Sequence, residues 1–263
     1  MRLFAIFGDP VAHSRSPLMH NSVFKHLNYK ACYTRIHLQD GSKLKETFLS
    51  LKLSGANVTV PHKEAAYIAC DEVRGFAKKV GVVNTIVNEN GRLIGYNTDA
   101  DGFMFAIKEF GDVKNILILG AGGTAKALAS KFIDSGIKVS VINRSDSRLS
   151  YFKELGCECF NWDNFEIKKY DLVLNSTSAG LKDKEFPAPL ALIEQILDST
   201  SFVAEVIYGK ITPFLKLAKD KNIICKDGAD MLLAQGILAN ELFVKSELKS
   251  DDIEHYMAES FNL

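Results

Sequence analysis

Lys114-Asn-Ile-Leu-Ile-Leu-Gly-Ala-Gly-Gly-Thr-Ala125, with its continuation to Arg148, decides the fold. Asn115-Ile-Leu-Ile-Leu119 is a short apolar run of the kind that forms a fully buried strand. It passes directly into Gly120-Ala-Gly-Gly-Thr-Ala125, and a helical pattern follows over 126–135. A second strand pattern, 138–142, closes on Asn143-Arg-Ser-Asp-Ser-Arg148. Strand, glycine turn, helix and strand in that order make the unit that binds a dinucleotide. Gly120 permits the tight turn, and Gly122 lets the backbone approach a pyrophosphate. Ala125 takes the third small position, where helix and strand pack closely. The amides at the helix N-terminus then face the phosphates.

The end of the second strand selects the dinucleotide. An NAD site carries Asp or Glu there, roughly 20 residues beyond the glycines, to accept from a ribose hydroxyl. This chain has Asn143 and Arg144 instead, with Arg148 four residues on. A carboxylate repels a 2′-phosphate, whereas a guanidinium binds it through charge-assisted, often bidentate contacts. The expected cofactor is therefore NADP.

The rest of the chain alternates strand and helix patterns, which predicts an α/β protein with mainly parallel strands. Strands are expected near 3–7, 33–37, 56–60 and 82–87, with helices near 17–27, 42–51 and 63–69. Asn88-Glu-Asn-Gly91 reads as a turn into a hairpin partner at 92–96. Beyond a linking helix near 101–110, the dinucleotide region continues with a helix at 147–155 and strands at 171–175, 202–207 and 223–226. A helix is expected at 212–219, and the tail reads as helical over 229–244 and 251–261. The architecture predicted is an N-terminal α/β substrate domain (1–100), a Rossmann doubly wound NADP-binding domain (101–228), and C-terminal helices (229–263) packing back on the first domain.

Composition narrows the function classes. The 263 residues suffice for two medium domains, and 47% hydrophobic with 24% charged residues fits a globular protein. Lys plus Arg, 32, balances Asp plus Glu, 32, which argues against a nucleic-acid binder. No apolar stretch reaches the roughly 20 residues of a membrane-spanning helix, so no membrane partner is expected. Five cysteines follow no framework spacing and read as reduced, mostly buried thiols, which predicts a cytoplasmic protein. The six histidines show no paired ligand motif, so no metal is predicted.

A substrate site is expected at the C-terminal ends of strands. After the first strand, Gly8-Asp-Pro-Val-Ala-His-Ser-Arg-Ser-Pro17 carries two hydroxyls, Ser14 and Ser16; Ser16 suits an N-cap and Pro17 the first helical position. Asn57-Val-Thr-Val-Pro-His-Lys63 places Thr59 within a strand and Lys63 just beyond it. Asn84 interrupts an apolar run, and a buried amide needs partners. Gly95-Tyr-Asn-Thr-Asp99 brings a carboxylate to the start of a helix. Each residue has a structural explanation of its own; their recurrence at successive strand ends does not.

These blocks resemble the shikimate dehydrogenase family. The similarity lies in 8–21 (GDPVAHSRSPLMHN), 57–63 (NVTVPHK), 81–86 (GVVNTI), 97–102 (NTDADG), 120–125, 143–148, 175–180 (NSTSAG) and 227–235 (DGADMLLAQ), in the family's order over nearly the whole chain. The resemblance implies NADPH-dependent reduction of 3-dehydroshikimate to shikimate, towards chorismate and the aromatic amino acids. It implies that Ser14 and Ser16 hold the substrate carboxylate with Thr59 and Tyr208 nearby, and that Asn84, Asp99 and Gln235 bind ring hydroxyls. Lys63 and Asp99 would be the catalytic pair. For the cofactor it implies Gly120, Ala121, Gly122, Gly123 and Thr124 at the pyrophosphate, and Asn143, Arg144, Ser145 and Arg148 at the adenosine phosphate. Ser176, Val206 and Gly228 would lie along the nicotinamide.

The chain departs from the family pattern at Glu205, where Asp is usual, at Gly209-Lys210, where Pro is common, at Asp230 in place of Gly, and at Phe243 in place of a late Trp. A quinate/shikimate dehydrogenase that prefers NAD is disfavoured by the arginine pair. A methylenetetrahydrofolate dehydrogenase is disfavoured by the paired serines and 57–63. A non-catalytic shikimate-binding module is disfavoured by the presence of both Lys63 and Asp99. The partner expected is a small-molecule substrate, with the protein a monomer or homodimer.

Overall fold

A computed structural model describes residues 1–262. The chain divides into two compact units: Met1–Gly102 together with the chain from Leu233 onward, and Phe103–Leu232.

The first unit is built from β1 (Arg2–Gly8), α1 (Ser16–His26), β2 (Ala31–His37), α2 (Leu44–Ser50), β3 (Gly55–Val58), α3 (Lys63–Ala69), β4 (Glu72–Val73), α4 (Phe76–Val80), β5 (Thr85–Glu89) and β6 (Arg92–Tyr96). α5 (Asp99–Ala106) then carries the chain into the second unit. Its sheet has the order β2-β1-β3-β5-β6-β4. Its strands are mainly parallel, as expected: β1 pairs β2 and β3 in parallel and β4 pairs β6 in parallel, while β5 is antiparallel to both β3 and β6. The reason is local. Asn90 and Gly91 both have positive φ (55° and 87°), the two-residue turn that matches strand twist in a tight hairpin, so β6 must return beside β5. A core of Phe7, Leu44, Phe48, Leu53, Val58, Ile86 and Leu93 seals this sheet.

That pairing gathers the polar segments. Phe7 lies opposite Val58, Asn57 opposite Thr85, and Thr85 opposite Tyr96. The C-terminal ends of β1, β3 and β6 and the N-terminal end of β5 therefore share one edge of the sheet. Two positions shift by this finding: Thr59 follows the last residue of β3 rather than lying within it, and Asn84 precedes β5 rather than interrupting a strand.

The second unit runs β7 (Asn115–Leu119), α6 (Gly123–Asp134), β8 (Lys138–Asn143), α7 (Ser150–Glu154), β9 (Glu158–Asn161), β10 (Tyr170–Asn175), α8 (Leu190–Asp198), β11 (Thr200–Glu205), α9 (Pro213–Asp220) and β12 (Ile224–Lys226). All its strand pairs are parallel, in the order β12-β11-β10-β7-β8-β9. Counted along the chain this is 6-5-4-1-2-3, the Rossmann doubly wound order. Ala125 is fully buried, as the close packing of α6 on the sheet requires. α10 (Ala229–Val244) leads back to the first unit, which α11 (Ser250–Glu259) completes. Phe243 stacks on Phe4 there, with ring centroids 4.8 Å apart. No helix among the described residues is long and apolar enough to cross a membrane.

Four elements lie outside the sequence reading: β4, α4, β9 and α8. The thiols also differ from expectation. Cys157 is buried, and burial pushes its pKa up to about 12, but Cys32, Cys70, Cys159 and Cys225 are only half-buried.

Candidate functional site

In the first unit, α3 starts at Lys63 and α5 starts at Asp99, so the two residues reach the polar edge of the sheet from the first turns of two helices. Lys63 Nζ donates to Asp99 Oδ2 at 2.5 Å. Their side chains retain only 11% and 8% exposure, which makes this a buried ion pair. A buried charge is tolerated when its remaining lone pairs are satisfied, and Asn84 does that: its Nδ2 donates to Asp99 Oδ1 at 2.8 Å. The same amide donates to Thr98 Oγ1 (2.9 Å), while Asn84 Oδ1 accepts from the Thr98 amide (2.9 Å). Asn97 Oδ1 accepts the Asp99 amide at 3.1 Å and caps the start of α5. A carboxylate at a helix N-terminus is also favoured by the helix dipole.

The serine pair sits on the same edge, after β1. Both hydroxyls are buried and lie 3.2 Å apart. The N-cap of α1 is Arg15, not Ser16, and no side chain caps it. Ser16 is the first helical residue, and Ser14 Oγ accepts its amide at 3.3 Å. The Arg35 guanidinium holds the Ser14 carbonyl, with Nε at 3.0 Å. Thr59 packs against Gly8: a β-carbon on Gly8 would lie 2.4 Å from Thr59 Cγ2. The structure therefore joins Lys63, Asp99 and Asn84 by direct bonds and sets Ser14 against Ser16. Gln235 is half-buried on α10 of this unit, while Tyr208 is half-buried in the second unit.

The second unit presents the glycine turn. Gly120 has φ +101°, and a β-carbon there would meet Thr177 Cγ2 at 2.6 Å. Gly122 has φ −87°, and a β-carbon there would meet nothing within 4 Å. Gly122 is the N-cap of α6 and no side chain caps the helix. At the end of β8, Asn143 Nδ2 donates to the Ser145 carbonyl (2.9 Å). Arg144, Ser145 and Arg148 are exposed, and among the described residues neither guanidinium makes an ion pair. Ser176 Oγ donates to the Leu119 carbonyl (2.8 Å), tying the end of β10 to that of β7. Gly228 is required by crowding, since its β-carbon would lie 2.4 Å from the Val206 carbonyl oxygen. Asp230 pairs with Lys226 at 2.7 Å. Among the described residues no three His, Cys, Asp or Glu side chains converge on a possible metal site.

Sequence reasoning gives no role to the polar residues behind these groups. Asn57 is buried on β3, an otherwise apolar strand, and Thr85 is buried at the start of β5. Glu205 at the end of β11 is fully buried, bonded to Thr212 and Asn175. A polar residue in a buried strand is the available signal.

Two family models match the chain: the shikimate dehydrogenase substrate binding domain over residues 6–86, and shikimate / quinate 5-dehydrogenase over 105–182. The shikimate dehydrogenase (NADP(+)) of Helicobacter hepaticus is 43% identical over 260 residues, covering 98% of this chain and 97% of that protein. The crystal structure of shikimate dehydrogenase from Aquifex aeolicus aligns with a TM-score of 0.86 and 34% identity over 97% of each chain. Shikimate 5-dehydrogenase from Thermus thermophilus, solved in complex with NADP(H) and shikimate, aligns with a TM-score of 0.82 and 32% identity, covering 99% of this chain and 100% of that one.

Proposed function

The chain belongs to the shikimate dehydrogenase family, and from that premise we propose that it catalyses the reversible NADPH-dependent reduction of 3-dehydroshikimate to shikimate, with Lys63 and Asp99 as its catalytic pair. The observation that carries this reading is the buried contact between Lys63 and Asp99, closed on its far side by Asn84.

The residues present fit NADP. The open space beside Gly122 and the uncapped start of α6 suit a pyrophosphate carried by Gly120, Ala121, Gly122, Gly123 and Thr124. Arg144 and Arg148, exposed beside Asn143 and Ser145, suit a 2′-phosphate. Ser176, Val206 and Gly228 are the residues assigned to the nicotinamide end. When bound, the cofactor supplies the hydride.

The substrate side follows from charge. Ser14 and Ser16 receive the ring carboxylate with Thr59 beside them, and Asn84, Asp99 and Gln235 hold ring hydroxyls, with Tyr208 adding to the substrate contacts. Reduction of the ketone puts negative charge on its oxygen, which must be stabilised and then protonated. An ammonium does both, and Lys63 is the group assigned to it. Asp99 orients that ammonium, and the Asn84 amide keeps the carboxylate from turning away. In the reverse direction Lys63, as the neutral amine that the forward step leaves, receives the proton of the shikimate hydroxyl that becomes the ketone.

Absorbance at the nicotinamide band, with shikimate or quinate against NADP or NAD, tests this. Turnover with shikimate and NADP is expected. Preference for quinate or NAD would favour a quinate/shikimate dehydrogenase of broader range, and no turnover in any combination would favour a non-catalytic binding module.

A further inference from the structure

Behind Asn84 and the Lys63–Asp99 pair runs a line of three buried side chains, Tyr33, Asn57 and Thr85, to which the reaction assigns no part. Tyr33 Oη donates to Asn57 Oδ1 (2.7 Å), and Asn57 Nδ2 donates to Thr85 Oγ1 (3.0 Å). Thr85 Oγ1 in turn donates to Asn84 Oδ1 (2.9 Å), and Asn84 Nδ2 donates to Asp99 Oδ1 (2.8 Å). None of the five residues is more than 6% exposed.

Two backbone groups fix the sense of every link. The Thr98 amide can only donate, and it donates to Asn84 Oδ1, so the NH2 of Asn84 is the end that faces Asp99. The Asn84 carbonyl can only accept, and Asn57 Nδ2 donates to it at 3.3 Å, so the oxygen of Asn57 is the end that faces Tyr33. Thr85 accepts from Asn57 and has a single hydroxyl proton, which goes to Asn84. Four donors therefore point the same way, towards a carboxylate whose other oxygen meets Lys63. Hydrogen bonds in such a row polarise one another in a low-dielectric interior.

Resting on the catalytic reading of Lys63 and Asp99, we infer that Thr85, with Asn57 and Tyr33 behind it, is a positioning residue for that pair. The chain of donors holds the Asn84 amide against one oxygen of Asp99 and so leaves the other directed at Lys63. The role is separable from packing because the hydroxyl of Thr85, rather than its volume, is the link. His20 stacks on Tyr33 at the far end (ring centroids 4.3 Å apart, interplanar angle 5°), so the ring of Tyr33 is held independently of its hydroxyl.

Thr85→Val keeps the shape and removes the hydroxyl. In steady-state oxidation of shikimate with NADP, kcat is expected to fall about tenfold, the effect of losing one buried hydrogen bond, while the KM for NADP stays unchanged. Thr85→Ser, which returns the hydroxyl, is expected to recover kcat to within about twofold, and Tyr33→Phe to lower kcat by about threefold, since its bond is further from Asp99. Wild-type kcat in Thr85→Val overturns the inference, as does a loss that Thr85→Ser does not recover, which marks packing alone. If Thr85→Val does not fold, Tyr33→Phe decides: an unchanged kcat there overturns it too. A wild-type protein that turns over no shikimate with either nicotinamide overturns the reading of the site itself, and the inference with it; an active wild type beside unaffected variants overturns the inference alone.

Discussion

Lys63 Nζ and Asp99 Oδ2 lie 2.5 Å apart at the first turns of two helices, on side chains with little access to water. Neither charge is sustainable without the other, because removing one partner of a buried pair leaves an uncompensated charge. Lys63→Ala is expected to lower kcat for shikimate oxidation by about 10²–10⁴-fold, the range of general acid–base catalysis. Initial rates at saturating NADP and shikimate measure it. A near-normal kcat with a raised KM would make Lys63 a binding residue only.

The proposed cofactor choice rests on a different pair of side chains. Arg144 and Arg148 stand exposed after β8, where an acidic residue would mark an NAD site. Arg144→Ala should raise the KM for NADPH at least tenfold, about one charge-assisted hydrogen bond's worth, and leave the KM for NADH nearly unchanged. Equal changes in both would mean that Arg144 does not meet the 2′-phosphate.

How much of this is legible in the sequence depends on how local the cause is. The strand–glycine–helix unit at 115–134 and the Asn90-Gly91 hairpin are set by neighbouring residues, and both can be read from them. Strand direction is not local. Nothing within 55–58 or 85–89 says that they pair antiparallel, yet that pairing brings the end of β3, with Lys63 beyond it, to the edge where the β5–β6 hairpin sets Asn84 beside Asp99. The Asn57–Thr85 link follows from register, so each residue alone shows only an unexplained polar group in a strand. α8 escapes the sequence reading although Ile193, Ile196 and Leu197 have helical spacing, because Pro189 stands at its N-cap without a capping side chain. β4 has two residues, too few for any period to register.

The first two glycines of the turn, Gly120 and Gly122, should fail differently. Gly120 has φ +101°, and its missing β-carbon would press on a Thr177 methyl whose hydroxyl is held by Asn175 Oδ1 at 2.7 Å. Gly120→Ala is expected to cost the protein at least about 1–2 kcal/mol in unfolding free energy without any cofactor. Gly122 has ordinary φ and open space, so Gly122→Ala should cost under about 1 kcal/mol while raising the KM for NADP strongly. Urea unfolding of the free protein, set beside KM values, separates the two. A loss of stability of the same size in both variants would remove the distinction.

Glu205 makes the stability of the protein depend on pH. Its carboxylate is fully buried, accepting from Thr212 Oγ1 at 2.8 Å and Asn175 Nδ2 at 3.4 Å. Burial raises its pKa from an ordinary 4.5 to about 7; Asp227 adds to the rise, while Thr212, Asn175 and Lys210 oppose it. The folded protein thus keeps a proton that the unfolded chain gives up near pH 4.5. Between these values the unfolded state binds fewer protons, so stability falls as pH rises. The contribution is complete below pH 4.5 and lost as pH climbs through about 7. Glu205→Gln cannot titrate, so relative to wild type it should gain stability between about pH 5 and pH 8, by up to about 3 kcal/mol if the whole shift is expressed. His20 works in the opposite sense: burial lowers its pKa from 6.5 to about 3, so its contribution is present above pH 6.5 and is lost as the medium acidifies towards 3. That effect is common to both proteins and cancels in their difference. Denaturant midpoints at about pH 5 and pH 8 supply the comparison. A variant-minus-wild-type difference that stays constant across that range would mean that Glu205 holds its proton equally in the folded and unfolded chain.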